Sequence, residues 1–92
     1  MEKSIILPWM KENLDKVPSG CGVLMLRTTP VNGDIVKIEI SSNLNHDLME
    51  LFNKGVTEEV KYFDWYVTND LASAAEAKKD LIKKYHLEGI PE

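Results

Sequence analysis

His46 and Asp47 stand side by side in the stretch Asn43-Leu44-Asn45-His46-Asp47-Leu48. An imidazole beside a carboxylate is the pairing a general base uses, but a base needs a nucleophile or a metal within reach. No neighbour supplies either, so the ordinary reading is a surface histidine at the start of a helix. Cys21, between Gly20 and Gly22, has no motif around it and marks no nucleophile. One cysteine cannot form an internal disulfide, and with only His46 and His86 beside it no zinc-ligand spacing exists. The residues themselves imply no metal and no cofactor.

Lysines are the other candidates. Lys37, Lys78, Lys79, Lys83 and Lys84 could together present an anion-binding face to a nucleic-acid backbone or a small phosphate. Cations near a helix C-terminus also complement its dipole and keep a face soluble, and that plainer reading carries more weight. Tyr62, Phe63, Trp65 and Tyr66 fall in one run that could stack on bases. In a regular strand, Tyr62 and Tyr66 share a face opposite Phe63 and Trp65, so at least half of this set is expected in the core.

The elements that must position these groups can be read from pattern. Pro8 to Lys16 reads as a short helix with Pro8 in its first turn and Trp9, Met10 and Leu14 on one stripe. Pro18 and Gly20 end it. Val23 to Thr29 is strand-like, Asn32-Gly33-Asp34 carries turn chemistry, and Asp34 to Ile40 alternates as a half-buried strand. These two strands make a hairpin. Ser41-Ser42-Asn43 offers caps for a helix with Leu44, Leu48, Leu51 and Phe52 at helical spacing, closed by Gly55. Val60 to Val67 is a third strand. Thr68-Asn69-Asp70 caps a last helix to about Tyr85, with Leu71, Ala74, Ala75, Leu81, Ile82, Tyr85 and part of Lys78 turned inward. Gly89 and Pro91 end the ordered region. The expected class is α+β, a three-stranded antiparallel sheet flanked by helices in the order α-β-β-α-β-α.

The chain has 92 residues and a formal net charge of −4. That length fits one domain over residues 1–92, with a core of about 12–86. The acidic balance lacks the basic footprint of a nucleic-acid binder, which favours a protein partner slightly over nucleic acid. The longest apolar runs, Ile5 to Leu7 and Val23 to Leu26, are far too short to span a membrane. Met1-Glu2-Lys3-Ser4 leads into no signal-peptide core. The expected location is the cytoplasm.

Three stretches in order carry a resemblance: Val17 to Leu24, Lys37 to Leu48, and Ala75 to Tyr85. Together they resemble the GIY-YIG nuclease domain, of the type found at the N-terminus of the excision-repair incision subunit. The family starts "PGVY", continues "YVGxSxNL", and ends on a helix with "LI..Y". Ser41-Ser42-Asn43-Leu44 and Leu81-Ile82-Lys83-Lys84-Tyr85 are the most specific matches. The resemblance implies metal-assisted phosphodiester cleavage by two tyrosines, an arginine for phosphate charge and a glutamate that holds the ion.

Carried over position by position, those groups are replaced. Leu24 stands for the first tyrosine, Lys37 for the second, and Glu39 for the glycine that follows it. Asn43 keeps its match. Asp47 stands for the arginine and Lys78 for the glutamate. An ammonium has only donors and cannot ligate Mg²⁺. Glu76 and Asp80 point away from that position on a helix. The resemblance with these exchanges implies a non-catalytic binding or interaction module with no catalytic residue and no metal. The alternative is a Mg-dependent endonuclease with a divergent site. Asp47 and Lys78 either face each other across the former cleft or, the favoured reading, both point to water.

Overall fold

The computed structural model describes residues 2–30, 34–55 and 59–85. The elements are β1 (Glu2–Lys3), β2 (Leu7–Pro8), α1 (Lys11–Leu14), β3 (Gly22–Arg27), β4 (Ile35–Ser41), α2 (Leu44–Lys54), β5 (Tyr62–Val67) and α3 (Leu71–Tyr85). All pairings described are antiparallel, in the order β1-β5-β3-β4, with β2 also paired to β5. The sheet is therefore four strands across, not three. Two-residue strands carry no alternating pattern, so the sequence could not announce β1 and β2.

The N-terminal stretch also corrects the first helix. Pro8 belongs to β2, opposite Tyr62, and only Lys11–Leu14 is helical. Trp9 is spent on the sheet and core instead. Its N–H donates to the Lys61 carbonyl at 2.8 Å, and its ring packs 5.3 Å from Phe63 and 5.4 Å from Phe52. Met10 is exposed.

β3 is buried along its whole length because helices cover both faces. Leu24 and Leu26 join Leu44, Leu48, Phe63 and Trp65 in one core, on the side of α1 and α2. Val23 and Met25 join Ile38, Tyr66, Ala77 and Leu81 in a second, under α3. Each such fully buried aliphatic or aromatic side chain contributes about 1.5–3 kcal/mol. As the strand period required, Phe63 and Trp65 lie opposite Tyr66, and all three are buried. Residues 31–33, the centre of the anticipated turn, lie outside the described residues, but the Thr28 N–H bond to the Asp34 carbonyl closes the hairpin beside them. A bulge follows: Leu26 pairs with Lys37 but Arg27 with Ile35, leaving Val36 extra.

Both long helices begin on their anticipated residues, and α2 also ends on its own. The Asn43 side chain accepts from the His46 N–H at 3.1 Å, and Gly55 closes α2 at φ 64°, where a side chain would be strained. Asp70 accepts from the Ser73 N–H at 2.7 Å, which holds its carboxyl below the usual range. Leu71 departs from expectation: it is half exposed on the flank of α3. His86, Gly89 and Pro91 lie outside the described residues. Among the described residues, no helix is long and apolar enough to cross a membrane.

Candidate functional site

The register decides which of the singled-out residues meet. Leu24 pairs with Glu39 and Leu26 with Lys37, so these side chains share the α2 face of the sheet. Leu24 is wholly buried beneath the helices, a hydrocarbon where the resemblance asks for a hydroxyl. Lys37 and Glu39 form an ion pair at 3.3 Å. With Asp47, Glu50, Leu51 and Lys54 they line a surface groove of about 350 Å³.

Local chemistry holds the mouth of that groove. Ser41 donates its hydroxyl to Asp47 at 2.5 Å and accepts from the Asn43 N–H at 3.0 Å. Asp47 is thereby fixed at the first turn of α2, where a negative charge complements the helix dipole. His46 lies 3.0 Å from Glu50, one turn on, and Glu50 also meets Lys54 at 3.5 Å. The nitrogen or oxygen ligand atoms of His46, Asp47 and Glu50 all lie within 4.8 Å of one another. Among the described residues this is the group whose donors could hold a divalent ion, although none of the three was anticipated as a ligand. His46 and Glu50 face water.

Lys78 does not join them. It is buried on α3, among Ala74, Ala77 and Leu81, with the sheet standing between it and Asp47. Both anticipated arrangements fail: the two charges neither face each other nor both point to water. The physical reason is that α2 and α3 pack on opposite faces, which spacing along the chain cannot reveal. The proposed lysine face is likewise divided, with Lys79, Lys83 and Lys84 exposed on α3 and Lys37 on the other side of the sheet. Glu76 and Asp80 flank a separate groove of about 300 Å³ beside Thr68 and Asn69. Cys21 is half-buried and donates its thiol to the Thr68 carbonyl.

Sequence reasoning passed over the strongest electrostatic feature. Arg27 and Asp64, both wholly buried, form a two-pronged ion pair, Nε to Oδ1 at 2.7 Å and Nη2 to Oδ2 at 3.1 Å. Lys3 reaches the same carboxylate at 3.2 Å from β1. The signal was present: Arg27 continues the inward period of Val23 and Met25, and Asp64 that of Tyr66. Two opposite charges at core positions of adjacent strands imply a pair.

Beside this pair, Tyr66 has its phenol pushed up to about 12, chiefly by burial, then by Tyr85 and by the Asp64 carboxylate. The folded state therefore holds this proton more tightly than the unfolded chain, where a tyrosine titrates near 10. The stabilisation is complete below pH 10 and is lost as pH rises from 10 to 12. Chemical denaturation across that range should show the native protein losing about 2 kcal/mol more than Tyr66→Phe. Parallel losses in both proteins would refute the assignment.

No family model and no curated protein matches the sequence. Comparison of folds does find a relative in shape. The chain is similar to the GIY-YIG N-terminal endonuclease domain of UvrC from Thermotoga maritima, solved as a point mutant bound to its catalytic divalent cation. The match has a TM-score of 0.63 at 24% identity and covers 84% of this chain and 93% of that one. The fold is GIY-YIG-like.

Proposed function

We propose that this GIY-YIG-like domain is a non-catalytic binding or interaction module. The observation that supports the reading is the filling of Leu24, a wholly buried hydrocarbon on the groove side of the sheet. It cannot supply the hydroxyl that the resemblance places there for metal-assisted cleavage. The groove that remains carries three carboxylates, Glu39, Asp47 and Glu50, against two ammonium groups, Lys37 and Lys54. Its balance opposes a phosphate backbone and suits a polar protein segment of mixed charge, in keeping with the acidic chain.

A second reading, a metal-dependent endonuclease with a divergent site, draws on the His46, Asp47 and Glu50 group. Incubation with supercoiled plasmid and short duplex DNA, with Mg²⁺ or Mn²⁺, separates the two. The module is expected to leave the DNA intact, and its amide spectrum to stay unchanged on titration with duplex at low salt. Metal-dependent nicking that disappears in Asp47→Asn would establish the nuclease instead.

A further inference from the structure

The outer side of β4 is where the sheet stops. Among the described residues no strand pairs with β4 on the side away from β3, so its outward backbone groups have no sheet partner there. We infer that β4 and the adjoining flank of α3 form an interface between two copies of this chain, joined by antiparallel pairing of β4 with itself. This goes beyond the groove function and does not depend on it.

Charge selects the register. A twofold axis perpendicular to the sheet keeps each strand's faces, so β4 can pair with itself only when centred on a residue. Centring on Lys37 opposes two ammonium groups, and centring on Glu39 opposes two carboxylates. Centring on Ile38 sets Lys37 of each copy against Glu39 of the other, twice over. Unlike charges directly opposed across strands attract and like charges repel, so one register stands apart. The present Lys37–Glu39 contact within each strand then becomes a cluster of four alternating charges. The bulge at Val36 limits the directly opposed set to Lys37, Ile38 and Glu39. Lysines on edge strands ordinarily discourage pairing; beside Glu39, the same lysine finds its complement in a second copy.

Three residues is a short ladder, and the α3 side supplies the rest. α3 packs over both β3 and β4, so its axis lies near the line between them. In the joined sheet, two such lines stand about two strand spacings apart, roughly 9–10 Å, which is the distance at which helices pack together. Thr68 and Asn69, at the exit of β5, border the Ser73–Glu76–Asp80 side of α3. The opposite flank, toward β4, carries Leu71, Ala75 and Ile82 by helical spacing. Leu71 is 50% exposed, and Ile40 of β4, on the same sheet face as α3, is 39% exposed. Two of the large exposed apolar side chains thus border an edge that charge complementarity fits to itself.

The test is the mass in solution by sedimentation across micromolar to millimolar concentration, with circular dichroism to confirm folding. The native chain should reach dimer mass. Lys37→Glu and Glu39→Lys should each weaken association by about tenfold or more, and the double exchange should restore it because it keeps the complement. Leu71→Glu, at an exposed position that the folded monomer tolerates, should weaken it independently. A native chain that stays monomeric to millimolar concentration would overturn the inference. So would a dimer indifferent to both single reversals and to Leu71→Glu.

Discussion

Replacing Asp64 by alanine should cost about 3–5 kcal/mol of stability, as much as truncating a large core side chain. Arg27 and Asp64 are both wholly buried and meet through two hydrogen bonds. Removing the carboxylate takes a two-pronged charged partner from a guanidinium held in the core. A domain of this size commands only about 5–14 kcal/mol in total, so the thermal midpoint should fall by roughly 15–30 °C. Lys3 offers no relief, because it carries the same sign as Arg27 and loses its own contact to Asp64. The pair itself contributes little net stability, since its attraction is spent against desolvation. Arg27→Met combined with Asp64→Leu should therefore recover most of what Asp64→Ala loses. Urea unfolding of the three proteins decides the matter, and an Asp64→Ala variant within 1 kcal/mol of native would contradict it.

Gly22→Ala should be nearly as damaging, for a reason of space. A Cβ at Gly22 would stand 1.8 Å from the Tyr66 carbonyl oxygen and 2.9 Å from its carbon. Backbone cannot swing aside as a side-chain tip does. Gly22 pairs with both Ser41 and Val67, so relief of the clash must open the sheet between β3 and β5. A cost of about 3 kcal/mol or more follows, at or beyond the upper end for overpacking. Gly20→Ala is the control, since its Cβ would meet only Val67 at 3.9 Å. Equal unfolding midpoints for the two variants would show that close approach at Gly22 carries no cost.

These two sites mark where the sequence could and could not be read. The hairpin, α2 with its Asn43 cap and Gly55 stop, and α3 after Asp70 were legible because each depends on local period and capping chemistry. β1 and β2 were not, because two-residue strands exist only through pairing with β5, some 60 positions away. Trp9 fitted a helical stripe equally well until Phe52 and Phe63 claimed its ring. At the candidate site, the identities of Leu24, Lys37, Glu39 and Asp47 could be read, and the sheet register brings the first three to one face, with Asp47 of α2 beside Lys37 and Glu39. The separation of Lys78 from that face could not, since it depends on which side of the sheet a helix covers. Arg27 and Asp64 were visible as charges at inward positions but lie on different strands, and only their adjacency turns two anomalies into one pair.

The position of β5 has a consequence for how the chain can be made. Synthesis delivers β1 and β2 long before β5, yet β5 sits between them and β3. Until residue 67 has left the ribosome the N-terminal segment has no strand to lie on, and the β3–β4 hairpin has an open side. No product that lacks β5 can join the N-terminal strands to β3, so the described sheet closes only once β5 has been made. A chain organised this way gains little from folding as it emerges, and its nascent form exposes β3 on the flank that β5 will later occupy.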